Sequence, residues 1–271
     1  MVLVDTADAS LGAAVGALVK GEALRVEEKY SRYRPSVITT LNEKAGEAVE
    51  VDPETADLID YAALSYELSD GRFDITSGAL RRVWRFDGSG SLPDPERVNE
   101  ILAVVGWHRV SWQRPRLRLA PGMEIDFGGI GKEYAVDRAL LLAEKLTKAP
   151  LLVNFGGDLR VSGPRQDGSG WRVAIEDAER VGASAGLLEF THGALATSGD
   201  TYRHVVGEGG VRYGHVLDPT TGWPISGAPR SVTVHAATCS EAGLLAKLAL
   251  LRGADAEAFL REEQARAWCY R

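Results

Sequence analysis

The stretch MEIDFGGIGKEYAVDRALLLAEKLTKAPLLVNFGGDL (123–159) contains the pattern that decides the fold class. Met123–Phe127 is predicted as a short strand that runs into a cluster of glycines, and Lys132–Leu146 as a helix with one buried side. Leu151–Phe155 is typical of an apolar strand. Leu159–Ser162 is expected to return beside it after a Gly-Gly turn. The segment therefore combines a helix with strands that turn back on one another.

Further helices and strands are predicted on both sides of this segment. The helices are 8–30, one that Asp52-Pro53 opens, Ser240–Leu251 with Thr238 or Ser240 as its cap, and Ala254–Glu263. The strands are Trp171–Ile175, Ser231–Ala236, Ala267–Tyr270 and a hairpin of Arg109–Trp112 with Leu117–Leu119, and residues 30–42 are predicted as a loop. Because helices and strands do not alternate regularly, the pattern favours an α+β fold over a doubly wound parallel sheet. No repeat or linker divides the chain, so residues 1–271 are expected to form one domain.

The composition excludes several classes of protein. The 31 basic and 38 acidic residues give a net charge of -7, and the basic residues are scattered, which argues against nucleic-acid and anionic-membrane binding. Two cysteines allow at most one disulfide. No apolar run reaches the ~20 residues of a membrane span. The start MVLVDTADAS has no signal-peptide pattern, so a cytoplasmic location is expected, or an exported or periplasmic one if a leader was removed.

The glycine cluster in IDFGGIGKEYAVD (125–137) is a candidate phosphate site. Glycines let backbone N–H groups approach an anion, and a helix N-terminus adds the positive end of its dipole. The alternative is a tight strand-to-helix turn followed by a surface lysine. The cluster is not a complete dinucleotide-binding loop, because Tyr134 stands where the last glycine of G-x-G-x-x-G belongs.

Two later clusters carry polar groups that suit a ligand. NFGGDL (154–159) has a glycine pair that permits close approach, although a hairpin turn alone explains it. ATSGD (196–200) offers hydroxyls and backbone donors, and YGHVLDPTTGWP (213–224) places His215 just before an Asp-Pro turn. A histidine near carboxylates can act as a general base near neutral pH, and a purely structural histidine is the alternative. No spacing typical of a zinc site occurs.

Taken together and in their order, these motifs resemble those of the ApbE family, the FAD:protein FMN transferases. The matching segments are SRYRPSVITTLN (31–42), FDITSGAL (73–80), IDFGGIGKEYAVD (125–137), LVNFGGDLRVSG (152–163), ALATSGD (194–200), YGHVLDPTTGWPISG (213–227) and SVTVHAATCSEAGLLAKLALLRG (231–253). They extend from about Tyr30 to Gly253, nearly the whole chain. Any one motif is weak, whereas seven in order are specific.

The resemblance implies a fold, a reaction and partners. The fold is α+β, with two intertwined sublobes and a flavin pocket between them. FAD serves as donor substrate: a Thr or Ser hydroxyl of a client flavoprotein attacks the FMN phosphorus, and AMP leaves. Family members typically need Mg²⁺, and some hydrolyse FAD to FMN and AMP.

The resemblance also implies roles for particular residues. His215 would accept or orient the proton of the client hydroxyl, and Asp218 would fix its loop or help to place charge. Tyr33 lies in the front loop, where an aromatic ring could stack on adenine. The implied flavin-binding residues are Tyr33, Asn42, Asp74, Thr76, Gly128, Gly129, Gly131, Lys132, Glu133, Gly156, Gly157, Thr197, Ser198, Gly199 and His215.

The chain departs from the family pattern where the family holds Mg²⁺. The family places Asp and Thr four residues apart on the last core helix as ligands beside backbone carbonyls, and here the positions are Gly243 and Lys247. Glycine offers no ligating side chain, and an ammonium has no lone pair. Glu133 adds a negative charge where the family often has glycine. The metal-ligating residues are therefore left unassigned.

Three alternatives follow from this departure. Lys247 acts as a fixed, catalytic cation near phosphate, the metal is held by the Gly131 carbonyl and the ligand's phosphates, or catalysis is lost while flavin binding remains. Under the first, a Gly243→Asp, Lys247→Thr double substitution is expected to introduce magnesium dependence.

The predicted function is transfer of FMN from FAD to a client flavoprotein. The alternative is a relative that binds or hydrolyses FAD with weak or no transferase activity. An NAD-dependent oxidoreductase is a further interpretation, against which the missing final glycine and the irregular order of helices and strands both count.

Overall fold

The computed structural model describes residues 1–86, 91–178, 180, 182–201 and 203–271, with only the backbone of residue 208. The strands are β1 (Val2–Val4), β2 (Ala48–Glu50), β3 (Ser111–Gln113), β4 (Arg116–Arg118), β5 (Leu151–Phe155), β6 (Asp158–Val161), β7 (Trp171–Glu176), β8 (Ser184–Phe190), β9 (Gly193–Gly199), β10 (His204–Val206), β11 (Arg212–Gly214), β12 (Ser231–Ala236) and β13 (Arg266–Tyr270). The α-helices are α1 (Ala9–Tyr30), α2 (Val37–Glu43), α3 (Pro53–Leu68), α4 (Pro95–Leu102), α5 (Gly131–Leu146), α6 (Cys239–Leu251) and α7 (Ala256–Glu262). Short 3₁₀ helices cover Ile75–Arg82, Trp107–Arg109, Glu208–Gly210 and Gly253–Asp255.

A six-stranded sheet in the order β1–β5–β6–β9–β12–β13 is the central layer. Every neighbouring pair in it is antiparallel. Antiparallel strands can be joined by tight turns, so the strands need no helical crossover between each pair. The predicted α+β class is confirmed.

Helices α1, α5 and α6 pack together with the central sheet and bury one core. Small side chains on α5 and α6, including Ala139 and Ala246, are fully buried there and let the helices lie close together. The larger contributors include Val15 on α1, Leu140 on α5, and Val153 and Val234 on the sheet. Because α5 and α6 lie against the same sheet, residues more than a hundred positions apart become neighbours.

A second core lies beside the first and is built from α2, α3 and the segment before α5. Its buried residues include Ile38, Ile59, Phe73, Ile125 and Phe127. The three-stranded sheet β2–β4–β3 contributes Leu117 to this core. The two other small sheets are the hairpins β7–β8 and β10–β11.

Two predictions from the sequence are wrong in this second region. Residues 30–42 are not all loop, since Ser36 caps α2 by accepting a hydrogen bond from the Thr39 N–H. Met123–Phe127 is not a strand. Its backbone is held by the side chain of Asn42, which accepts from the Ile125 N–H at 2.8 Å and donates to the Ile125 carbonyl at 3.0 Å. An amide side chain thus makes the hydrogen bonds to Ile125 that a neighbouring strand would make.

Candidate functional site

The glycine turn at 128–131 leads directly into α5. The N–H of Gly128 donates to Asp126 at 2.9 Å, and the N–H of Gly131 donates to the Phe127 carbonyl at 2.7 Å. Both N–H groups therefore form hydrogen bonds within the turn itself, as the tight-turn alternative predicts. The N-terminus of α5 has no side-chain cap. Because the Ile130 and Gly131 N–H groups already bond to the Phe127 carbonyl, the N–H groups of Lys132 and Glu133 are the ones that the first turn can offer to an anion or to solvent.

A cluster of alternating charges surrounds the start of α5. The Lys132 ammonium lies 2.7 Å from Asp158, which begins β6, and Lys247 on α6 forms an ion pair with Glu133. Asp158 is 1% exposed and Glu133 is 4% exposed. Carboxylates this deeply buried need a cation beside them, and each has one. We call Lys132, Glu133, Asp158 and Lys247 the charge cluster.

Asp158 is the member of the charge cluster that the sequence analysis did not assign to the site. It follows the Gly156-Gly157 turn of the β5–β6 hairpin, and its carboxylate also accepts the backbone N–H of Thr197 at 3.0 Å. Burial and the nearby charge of Glu133 raise the pKa of Asp158, whereas Lys132 and Lys247 oppose that rise. The feature of the sequence that could have identified Asp158 is its place as an acidic residue between a glycine turn and an apolar strand.

The glycine pair forms the turn of this hairpin. Gly156 and Gly157 have φ of 62° and 97°, the left-handed region that glycine adopts without strain. A Cβ at either position would meet no atom within 4 Å, so no close approach within the protein requires these glycines. The hairpin interpretation is confirmed, and the turn's function in this structure is to deliver Asp158.

Gly243 and Lys247 face α5 from the first turns of α6. A Cβ built on Gly243 would lie 2.6 Å from Cγ of Glu133, so the Glu133 side chain fills the space that a side chain at 243 would occupy. Lys247 also donates to the Gly243 carbonyl at 3.3 Å, and its stem passes beside Gly129. The absence of a side chain at position 243 thus leaves room for Glu133 to reach Lys247.

His215 lies in the segment after β11. Its N–H donates to the Arg203 carbonyl at 3.1 Å, and its ring stands edge-on to Phe86 with 6.3 Å between centroids. Nδ1 is buried and has no hydrogen-bond partner among the described residues. Burial lowers the pKa of His215, and the positive charges of Arg203 and Lys247 lower it further. Burial and these charges thus favour the neutral imidazole, and Lys247 links His215 electrostatically to the charge cluster.

The Asp218 carboxylate stabilises the turn in which Asp218 itself lies. Its Oδ1 accepts the Thr220 N–H at 2.7 Å and the Thr220 hydroxyl at 2.6 Å. The Asp218 N–H donates to the Trp223 carbonyl at 2.8 Å. The residue orders the loop that follows His215, which is one of the two roles the resemblance implies.

Thr197, Ser198 and Gly199 form the end of β9 rather than a loop. They pair with Thr233, Val232 and Ser231 of β12. A Cβ on Gly199 would lie 2.4 Å from the Arg230 carbonyl oxygen, so the close strand approach requires glycine there. Through Asp158, Thr197 is joined to the charge cluster.

Asp74 and Thr76 hold a buried corner of the chain. The Asp74 carboxylate accepts the Thr76 hydroxyl and N–H at 2.7 Å and the Trp107 N–H at 2.8 Å. The Thr76 hydroxyl oxygen accepts from the Gly106 N–H at 2.7 Å. Burial raises the pKa of Asp74 in spite of these bonds. Both side chains are engaged with the protein rather than with the charge cluster.

Tyr33 lies on the surface and is 79% exposed. Arg32 covers one face of its ring at 4.9 Å and also forms an ion pair with Asp126 at 2.5 Å, just before the glycine turn. Asn42 reaches the same segment through Ile125. Arg32 and Asn42 thereby hold the front loop, residues 31–42, against the segment that leads into the glycine turn.

A cavity of about 310 Å³ is lined in part by the two sequence neighbours of His215, Gly214 and Val216. Gly199, Gly214, Val216 and Arg230 are among the residues that line it, and His215 is not. Asp200 binds two arginines at its wall, Arg212 at 2.8 Å and Arg230 at 3.0 Å. The cavity is therefore separate from the face on which His215 meets Phe86.

The charge cluster does not fit a divalent metal. Among the described residues no group of three or more His, Cys, Asp or Glu side chains is placed to hold a metal ion. Position 243 offers no side chain, and Lys247 brings a positive charge to the same point.

Known proteins resemble this chain in sequence and in structure. The model of the ApbE family matches residues 3–269. The FAD:protein FMN transferase of Vibrio cholerae serotype O1 is 31% identical over 237 residues, which is 85% of this chain and 71% of that protein. The crystal structure of the ApbE protein of Thermotoga maritima superposes with a TM-score of 0.87 at 32% identity and covers 95% of this chain and 86% of that one.

A second solved structure agrees with the first. The apo form of the Pseudomonas stutzeri flavinyl transferase ApbE has a TM-score of 0.86 at 27% identity, over 99% of this chain and 86% of its own. No helix in the described part of the chain is both long and apolar enough to cross a bilayer. With the family model matched from residue 3 to residue 269, this chain belongs to the ApbE family.

Proposed function

We propose that this protein transfers FMN from FAD to a Thr or Ser hydroxyl of a client flavoprotein and releases AMP. The observation that carries the proposal is the placement of an uncapped helix N-terminus beside two lysines, one of which, Lys247, is close enough to His215 to lower its pKa. Family membership supplies the choice of FAD as donor. The client is a partner that presents its hydroxyl to this face.

The phosphates of FAD would be held by the start of α5 and by the lysines beside it. Phosphoryl transfer requires in-line positioning and charge stabilisation rather than covalent help from the protein. First-turn N–H groups of α5 and the ammonium groups of Lys132 and Lys247 supply fixed donors and positive charge. The carboxylates of Asp158 and Glu133 hold these lysines in place.

In the reaction the client's hydroxyl oxygen bonds to the FMN phosphorus. The bond from that phosphorus to the bridging oxygen breaks, and AMP leaves with the bridging oxygen. The hydroxyl proton passes to His215, which is able to accept it because burial and neighbouring cations keep its ring neutral. Asp218 is a positioning residue that orders the loop after His215.

The remaining residues of the predicted site would shape the pocket around this centre. We place the adenine end of FAD against the front loop with Tyr33 and the flavin end near the close of β9. Asn42, Asp74 and Thr76 act through the backbone that they hold.

The test uses the whole chain with FAD and a flavoprotein domain that contains an acceptor threonine. Intact mass of the client should increase by one FMN residue, with one AMP released for each FMN attached. The matched control is the same client with that threonine changed to valine, which should remain unmodified. FMN and AMP formed in equal amounts without any labelled client would identify a hydrolase and overturn the transfer.

A further inference from the structure

We propose that Lys247, held by Glu133, is a built-in cation at the FAD phosphates and takes the place of a bound divalent metal. The proposal rests on the proposed function, because it assumes that FAD phosphates lie at the start of α5. It also predicts that FAD binds this protein equally well with and without divalent metal.

The first step in the argument concerns space. Glu133 Cγ lies only 2.6 Å from the place of a Cβ on Gly243, so a carboxylate from α5 takes the position of a side chain from α6. Real side chains do not approach so closely, so a larger residue at 243 would require the Glu133 side chain to leave its present position. A Gly243→Asp, Lys247→Thr double substitution would leave Glu133 in the space of the new aspartate, so we expect a metal site to need a third change. Glu133 must be removed as well.

The second step concerns charge and hydrogen bonds. A lysine ammonium has three N–H donors. One is directed to Glu133 and one to the Gly243 carbonyl at 3.3 Å, which leaves one for a ligand. The Lys247 side chain is 17% exposed, so it is not sealed within the core. Glu133 Oε2 is buried and has no hydrogen-bond partner among the described residues, and the FAD phosphates, which carry no donor, are expected to bond to the Lys247 ammonium and not to this oxygen.

The third step concerns competition between cations. A divalent ion within a few ångströms of the Lys247 ammonium would be repelled by it. The ion would also have to share the Glu133 carboxylate, one oxygen of which is already paired with Lys247. A lysine ammonium is a competent phosphate partner that acts as a point charge. The cluster is therefore complete with lysine as its cation.

The first experiment measures the affinity of the full chain for FAD by the change in flavin fluorescence, in EDTA and across a magnesium titration. The dissociation constant should change by less than about threefold, well below the tenfold change that 1.4 kcal/mol produces. A tenfold or greater loss in EDTA would overturn the metal-free cation. Absence of FAD binding under every condition would instead refute the proposed function.

The second experiment removes the Lys247 ammonium without leaving a buried Glu133 carboxylate unpaired. The double variant Glu133→Gln, Lys247→Met keeps the side-chain volumes, and the matched control Glu133→Gln keeps the cation. The double variant should bind FAD about 10–100-fold more weakly than the control, as loss of a charge-assisted hydrogen bond implies. Riboflavin has no phosphate, so its affinity should be the same in both. Equal FAD affinity in both variants would overturn the proposal, and circular dichroism checks that both are folded.

The third experiment tests the exchange of lysine for metal directly. Binding of Mn²⁺ in the presence of FAD is followed by electron paramagnetic resonance for the wild type and for the triple variant Glu133→Gly, Gly243→Asp, Lys247→Thr. Saturable Mn²⁺ binding by the triple variant alone supports the replacement. Binding by both proteins, or by neither, would overturn it.

Discussion

Asp137 on α5 accepts the backbone N–H of Ser240 on α6 at 2.9 Å, across 103 positions of sequence. Its other carboxylate oxygen accepts the N–H of Cys239 at 2.9 Å and lies 2.9 Å from Arg160 on β6. One buried side chain thereby fixes the start of α6 against α5. Because Glu133 and Lys247 meet across the same two helices, Asp137 sets the geometry of the charge cluster as well.

Replacing Asp137 with alanine should therefore destabilise the whole fold. The substitution leaves two N–H groups and Arg160 without their acceptor, and removal of one partner from a buried ion pair typically costs about 3–5 kcal/mol. Urea unfolding of the Asp137→Ala variant measures the loss. Asp57 lies exposed on α3, so Asp57→Ala is the matched control and should change the free energy of unfolding by less than about 0.5 kcal/mol. Equal losses in the two variants would contradict the anchoring role.

His215→Gln should slow FMN transfer by about 10²–10⁴-fold, the usual contribution of a general base. Glutamine cannot accept the hydroxyl proton, whereas it fits a similar space. FAD affinity should change little, because His215 is assigned to the hydroxyl and not to the phosphates. His192→Gln on the exposed turn between β8 and β9 is the control. Transfer at the normal rate in the His215 variant would remove the histidine from the mechanism.

Transfer should persist to a lower pH than an ordinary histidine base allows. The pKa of His215 is lowered from 6.5 by burial and by Arg203, so the neutral ring survives further into acid. The rate should fall only as the pH drops through this lowered value. Arg203→Gln removes one of the cations and should move the acid limb of the pH–rate profile back toward 6.5. An unchanged limb would show that another group is titrating.

FAD should bind more tightly than FMN or NAD. The front loop and the end of β9 are both fastened to the start of α5, which suits a ligand that is recognised at both ends. Tyr33→Ala should weaken FAD binding by about 1–3 kcal/mol, the usual worth of a base stacked on an aromatic ring. Tyr33→Phe preserves the ring and should preserve the affinity. Equal fluorescence-derived affinities for FAD and FMN would refute the two-ended pocket.

Glu54 should make stability depend on acid pH. Burial raises its pKa, but hydrogen bonds from Arg25, Lys29 and Tyr134 outweigh burial and bring the pKa to about 2, below the ordinary 4.5. A lowered pKa means that the stabilisation is fully present above about pH 4.5 and is lost as the pH falls toward 2.

The test compares the wild type with Glu54→Gln by thermal unfolding at several pH values. The variant should be about 1–3 kcal/mol less stable near pH 7, and the difference should shrink between pH 5 and pH 2. Glu27 lies exposed beside Arg34, so Glu27→Gln is the control and should show almost no difference at any pH. A pH-independent difference would mean that Glu54 acts through packing alone.

The sequence by itself determined the local elements of this protein. The helical period located α1, α3, α5 and α6. Asp52 caps α3 as expected, and Thr238, one of the two expected candidates, caps α6. The Gly156-Gly157 turn was identified because left-handed backbone at two successive positions favours glycine. Each of these features depends on residues within a few positions of one another, which a linear pattern records.

Only the tertiary structure decided which charges meet. Lys132 forms an ion pair with Asp158, and Lys247 forms one with Glu133 across 114 positions of sequence, because α5, α6 and β6 pack around one core. Asn42 holds Ile125 in place of the strand partner that the sequence predicted. Ion pairs and side-chain bridges of this kind depend on distance in space, which the spacing along the chain does not specify.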